Sequence, residues 1–250
     1  MKRKQYKYLS QEGAAVKNPR LFAMLMIFFL AVSCATAERG NQADAYYKLG
    51  IAYLNEDKVQ QAFVEFHKAY DLSPHNKEIL NAIGILYLLH LDETKKAIDW
   101  FDRAVKEDPM YSEAYNNLGY SYQILGDFEK AIAFYRKALS NPLYPTAEKA
   151  YINMGDAYYR LGRYDSALES YKEGLKRVPT LGIAYWRMAL CLNAMGRYGE
   201  AAAAATQAVK LDPVYQGSRE KAAEDLSVKR LRARGYEEKD IADYLEILKY

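Results

Sequence analysis

Apolar and polar positions along this chain follow the period of amphipathic helices, and that pattern itself recurs at a longer interval. A small residue returns at Gly50, Gly84, Gly119, Gly155 and Ala189, at spacings of 34, 35, 36 and 34 residues. Around each anchor an aromatic residue or Leu stands four before, an apolar residue one before, and an aromatic residue or Leu three after. In the first unit these are Tyr46, Leu49 and Tyr53, and in the third Tyr115, Leu118 and Tyr122. Alanines mark the second helix of each unit, as at Ala62 and Ala69, Ala97 and Ala104, and Ala131 and Ala138. Pro74, Pro109, Pro179 and Pro213 close four of the units, because proline lacks the amide proton that would continue a helix. Small residues belong where two helices cross closely, and large flanking residues fill the space between neighbouring pairs.

Five such units in register match the 34-residue tetratricopeptide pattern. The expected fold is all-α, a right-handed superhelical solenoid of helix pairs over 43–213. Its repeats fall near 43–76, 77–111, 112–147, 148–181 and 182–215. No single pair buries its own apolar face, so stacking must do it and the ends need polar caps. Residues 216–250 supply them: a capping helix over 216–234, a stop at Gly235, and a short amphipathic helix over 237–248. One extra residue near His90-Leu91-Asp92 lengthens the turn of the second repeat. The link Ser140 to Thr146 is two residues longer than regular, and its two prolines, Pro142 and Pro145, force an extended or turn conformation.

In a tetratricopeptide solenoid the first helix of each pair lines the concave face. Reading the inward positions gives Tyr47, Ile51 and Leu54, then Asn81, Ile85 and Leu88, then Asn116, Tyr120 and Gln123. The fourth and fifth repeats add Ile152, Asp156 and Tyr159, then Trp186, Leu190 and Asn193. Rings supply contact area and Asn amides can grip a peptide backbone, so this set suits an extended or helical peptide. The alternative is that the aliphatic members simply pack between repeats. Tyrosine is abundant throughout, 24 against 8 Phe, so a tyrosine alone identifies nothing.

Ahead of the repeats the chain changes character. Residues 2–20 carry six basic side chains against one acid, Glu12, and an uncharged run follows from Leu21 to Val32. That run is too short for a bilayer, which takes about 20 apolar residues, and fits a signal-peptide core. Leu30-Ala31-Val32-Ser33-Cys34 resembles the lipobox of bacterial lipoproteins, in which the cysteine is acylated after cleavage. The expectation is a leader over 1–33, a lipid on Cys34, and a short spacer over 34–42. The competing reading is an ordinary cleavage site at Ala35-Thr36-Ala37. The net charge of +3 belongs to the leader; without it the chain is −2, and no nucleic-acid partner is expected. After Cys34 only Cys191 remains, so neither an intrachain disulfide nor a metal cluster is expected there. Cys191 reads as a small buried hydrophobe.

Catalysis finds no support in the pattern. His67, His75 and His90 are scattered over the first two repeats and pair with no carboxylate at zinc-ligand spacing. The glycines are spent on crossings and turns, with no phosphate loop. Carboxylates such as Asp99, Asp102 and Glu107 read as a solvated face. The two-carboxylate clamp of chaperone-tail adaptors is matched only in part by Asn81, Ile85, Asn117, Lys149 and Asn153. The basic run Lys229 to Arg234 reads as the polar end of a capping helix, or as a surface for anionic headgroups. Neither an enzyme nor a cofactor is expected, apart from the covalent lipid on Cys34.

The segment Asn141-Pro142-Leu143-Tyr144-Pro145, opening a helix near Ala147, is similar to the Leu-Tyr-Pro link of the type IV pilus biogenesis/stability lipoproteins, the PilF/PilW/Tgl pilotin family. That family also joins a lipobox leader to a tetratricopeptide solenoid. The resemblance spans about Cys34 to Pro213; the sixth repeat often described for the family is eroded here into Gln216 to Arg234. It implies an outer-membrane lipoprotein facing the periplasm that binds pilus secretin subunits through its groove and promotes their assembly. Leu143, Tyr144 and Pro145 would bend or space the solenoid, with Leu143 and Tyr144 packed under the link. Other readings are an envelope scaffold for polysaccharide-export or cell-wall machinery, and an interaction protein whose leader is never cleaved.

Overall fold

A computed structural model describes the backbone of residues 19–250 and, apart from Met24, the side chains from residue 38 onward. Most of the basic leader, and the Cys34 side chain with its expected lipid, therefore lie outside the described residues. Twelve helices follow in order among the described residues. They are α1 (Pro19–Asn55), α2 (Val59–Leu72), α3 (Lys77–Leu89), α4 (Thr94–Glu107), α5 (Ser112–Ile124) and α6 (Phe128–Leu139). The second half holds α7 (Ala147–Arg160), α8 (Tyr164–Arg177), α9 (Gly182–Ala194), α10 (Tyr198–Leu211), α11 (Arg219–Arg230) and α12 (Tyr236–Ile247). α1 runs unbroken through residues 34–42 into the first repeat. No described helix is both long and apolar enough to cross a membrane.

Consecutive helices pair as α1/α2, α3/α4, α5/α6, α7/α8 and α9/α10, and each pair stacks on the next. The odd-numbered helices α3, α5, α7 and α9 also touch one another, so they form the continuous inner wall of a tetratricopeptide solenoid. Tight turns close most pairs, each reversing through one residue in the left-handed region: Asp57 (φ 58°), Gly126 (φ 78°) and Gly162 (φ 71°) among them. In the second pair the turn from His90 to Glu93 is one residue longer and places Asp92 at φ 54°. That is where the extra residue of this repeat is absorbed.

One contact repeats through four pairs. A Cβ built at Gly50, Gly84, Gly119 or Gly155 would stand 2.4–2.5 Å from a ring carbon of Phe66, Phe101, Tyr135 or Tyr171 respectively. All four rings are fully buried. The missing side chain on the first helix is thus the space that the aromatic ring of the second helix occupies. In the fifth pair both partners change together: Ala189 replaces the glycine and Ala205, sixteen residues on, replaces the ring, and both are fully buried.

The long link behaves as two halves. Asn141 Oδ1 accepts from the Leu143 amide at 3.0 Å, and its Nδ2 donates to the Met110 carbonyl at 3.3 Å, pinning the link to the preceding repeat. Tyr144 is buried in the core shared by α5 to α12, and burial raises its phenol pKa. Leu143 is 83% exposed. Only Tyr144 of the Leu-Tyr-Pro set anchors the link; Leu143, expected to pack beneath it, points to solvent. Cys191 is fully buried, its thiol pushed up to about 12 by burial, and its Sγ donates to the Tyr164 carbonyl at 3.2 Å.

After the fifth pair the chain turns back. Ser218 caps α11 by accepting from the Lys221 amide at 3.2 Å. Gly235, at φ 58°, turns the chain into α12, which packs on α9, α10 and α11. Buried Asp240, Ile241, Tyr244, Ile247 and Leu248 recur at helical spacing along one stripe. Glu237, Glu238, Lys239, Glu246 and Lys249 face solvent.

Candidate partner-binding groove

The inner wall is built differently at its two ends. In the first repeats Tyr47 and Ile51 are half-buried against the cluster around Phe66 and Ile83, with the Tyr47 ring 6.0 Å from that of Phe66. Ile85 is half-buried beside Leu88, Phe101 and Leu118. These side chains leave one edge open to the groove while packing between repeats.

The asparagines act otherwise than the sequence reading expected. Asn81 is only 7% exposed, and its Oδ1 accepts from Asn117 Nδ2 at 2.9 Å. Asn116 Oδ1 accepts from Asn153 Nδ2 at 3.2 Å. Each amide thus joins one repeat to the next along the inner wall, with its oxygen engaged inside the solenoid. Ile152 is also displaced from the groove: it is buried, and its Cδ1 would meet a Cβ on Gly174 of α8 at 3.0 Å. It belongs to the interior of its helix pair.

Tyr120, at 36% exposed, does open onto solvent, together with Ile124 of the same helix. They form one wall of a cleft of about 830 Å³. Ile183 and Trp186 of α9 also line it, and Lys229 of α11 and Tyr236 of α12 close the far side. Gln123 lines the cleft as well, with its Oε1 accepting from the Tyr135 hydroxyl at 2.9 Å.

At the other end the groove is filled by the chain itself. Trp186 meets the Tyr244 ring edge-on, with centroids 4.9 Å apart and planes at 68°. Tyr159 is half-buried, and its phenol is pushed up to about 12 by burial, with the nearby Asp240 and Asp243 carboxylates adding to it. Trp186 therefore packs on α12 in this structure rather than facing an empty groove, and Tyr159 lies half-buried near the carboxylates of that helix.

Beneath them lies a charge network. Arg160 Nη1 donates to Asp240 Oδ1 at 2.9 Å, and Nη2 reaches the other carboxylate oxygen. Arg187 bridges Asp240, at 3.6 Å from Nη1, and Asp156, at 3.3 Å from Nε. The Tyr171 hydroxyl donates to Asp156 at 2.9 Å. Burial raises the Asp156 carboxyl above its usual range, against the pull of Arg187 and Tyr171. The four ions sum to zero with α12 in place. Of this set only Asp156 was among the inward positions read; Arg160 and Arg187 stand one residue beyond them, and Asp240 is 80 residues from Arg160. Two arginines on adjacent inner helices and one acid on the stripe of the last amphipathic helix were the available signal.

Among the described residues no group of three or more His, Cys, Asp or Glu side chains is gathered to hold a metal. His67 sits 4.3 Å from the Phe63 ring and 6.0 Å from Trp100 by centroids. Its Nε2 is buried with no partner, and burial lowers its pKa.

Comparison with known proteins fits this architecture. Over 133 residues the chain is 26% identical to the type IV pilus assembly protein PilF of Pseudomonas aeruginosa, covering 48% of this chain and 52% of that one. The chain thus spans about half of that relative, and 7–17% of the longer curated relatives it also matches. The solved structure of P. aeruginosa PilF superposes with a TM-score of 0.64 at 22% identity, covering 82% of this chain and 98% of that one. PilW, described as a widely conserved type IV pilus biogenesis factor, superposes at 0.65 and 22% identity, covering 82% and 90%. Tetratricopeptide-repeat family profiles match residues 47–111, 112–180 and 152–216, and the chain belongs to the tetratricopeptide-repeat family.

Proposed function

We propose that this protein is a lipid-anchored adaptor of the pilotin kind, held at the outer membrane through Cys34, whose groove binds subunits of a type IV pilus secretin and promotes their assembly. The observation that carries the reading is the open cleft walled by the exposed Tyr120, Ile124 and Ile183 on the inner wall. It is concave, mostly apolar, and rimmed by a few charged groups, the character of a peptide-binding site. The similarity to PilF over 133 residues points to pilus components as the client class.

The mechanism is tethering. A lipid on Cys34 would fix one end of the molecule while the groove holds a client segment, raising the client's effective concentration at the membrane. Asparagine pairs joining the second, third and fourth repeats, with the buried rings of the helix crossings, make the wall stiff, so the client meets a preformed surface and little ordering cost remains on the adaptor.

The test is affinity purification from envelope fractions, comparing the unaltered protein with Cys34→Ala. Recovery of a secretin, together with loss of its rings from the outer membrane in the variant, is the expected result. Intact rings with recovery of polysaccharide-export or cell-wall enzymes would replace this reading with a general envelope scaffold.

A further inference from the structure

The carboxylate at the centre of the charge network comes from α12, a helix that belongs to none of the five pairs. Without Asp240, two arginines, Arg160 and Arg187, would face Asp156 alone across a half-buried wall. Trp186, now covered by Tyr244, would be bare. The wall is therefore cationic and aromatic, and α12 supplies the matching acid and ring four residues apart on one helical face. A five-residue link, Leu231 to Gly235, joins α12 to α11, and its glycine adopts a left-handed turn.

The fit is incomplete. The Tyr244 hydroxyl is buried at this contact with no hydrogen-bond partner, and Tyr244 is more than nine-tenths buried. A permanent core element rarely leaves such groups unpaired. A seat that leaves this hydroxyl unpaired favours a ligand that can satisfy it.

From this geometry we infer that α12 is an internal stand-in, and that the wall formed by Arg160, Arg187 and Trp186 is a binding site for an amphipathic helix of a partner protein. That partner helix carries a carboxylate and an aromatic residue four positions apart, above an aliphatic stripe. The inference rests on the groove being a protein-binding surface, and it adds the chemistry of the client and a gate. While α12 is seated, apparent affinity falls in proportion to the fraction of molecules with an open groove.

The probe is a designed 15-residue helical peptide with Asp and Tyr at that spacing over two Ile residues, unrelated in its other positions to this chain, and labelled for anisotropy. A matched peptide carries Asn in place of Asp. In the full chain, Asp240→Asn should raise affinity for the Asp peptide at least tenfold over the unaltered protein, and the Asn peptide should bind at least tenfold more weakly. A folded Asp240→Asn chain that binds neither peptide would overturn the inference and make α12 a fixed cap. A concentration-dependent dimer that ignores the peptide would overturn it in favour of α12 exchange between copies. Hydrogen exchange on the unaltered chain gives a reading independent of that variant: a saturating amount of Asp peptide should speed exchange of the α12 amides, and unchanged exchange would sink the proposal. Peptide binding without secretin recovery would leave this inference standing and remove only the pilus assignment.

Discussion

Arg160 and Asp240 form a two-pronged ion pair across 80 residues of sequence, with side chains only 17% and 5% exposed. The pair fastens the last helix to the inner wall of the fourth repeat. Charged groups this enclosed depend on each other: taking away one leaves the other desolvated without compensation.

Asp240→Asn is expected to destabilise the docked arrangement by about 3 kcal/mol, the lower end for a broken buried pair because Arg187 and Asp156 still neutralise each other. Replacing both partners, Arg160→Met with Asp240→Leu, should recover most of that loss. Urea titrations of the two singles and the double decide it. A double variant as unstable as the sum of the singles would contradict the pairing.

The glycine and ring crossings should behave as coupled sites. Gly84→Ala would push a methyl to 2.5 Å from the Phe101 ring, an overpacking cost of about 1–3 kcal/mol. Phe101→Ala alone should cost about 3–5 kcal/mol through cavity formation. The double variant copies the arrangement at Ala189 and Ala205 and should lose clearly less than the two costs added. Simple additivity in chemical denaturation would show that the sites are independent.

Within the Leu-Tyr-Pro link, stability should rest on one residue. Tyr144→Ala is expected to cost about 3–5 kcal/mol, as for other buried aromatic truncations. Leu143→Ala should stay within about 0.5 kcal/mol because the side chain is solvated. Thermal melting of the two variants side by side separates them.

Acidification should weaken the first two repeats through His67. Its folded pKa lies below the ordinary imidazole value of 6.5 because burial disfavours the cation. The unfolded chain therefore takes up the proton first. Stability from neutral His67 is fully present above about pH 6.5 and is lost as pH falls through the folded value. His67→Phe keeps the ring among Phe63, Tyr70 and Trp100 and should flatten that decline. Urea midpoints at a series of pH values from 7.5 to 5 test it, and equal slopes in both proteins would refute it.

Tyr120 offers a test of the open cleft. Exposed on α5, it should contribute within about 0.5 kcal/mol to folding. Tyr120→Ala should nevertheless weaken client recovery by about tenfold or more, the loss typical of an aromatic anchor. Undiminished recovery with a folded variant would move the contact elsewhere.

What the sequence determined by itself is the repeat. A crossing such as Gly119 with Tyr135 joins residues sixteen apart, so helical period, turn residues and volume complementarity are all written within one unit. The five pairs and their stacking follow from local chemistry. The stripe of α12 was equally legible, for Ile241, Tyr244 and Leu248 recur at helical spacing. Which surface that stripe covers was not, because an apolar face specifies burial without specifying a partner, and several grooves of one solenoid offer similar walls. Only the tertiary structure decided that Asp240 reaches Arg160, and that Asn81 and Asn116 turn their amides to neighbouring repeats. Those choices depend on distances set jointly by all five pairs, where desolvated charges and amides must find the one arrangement that satisfies them.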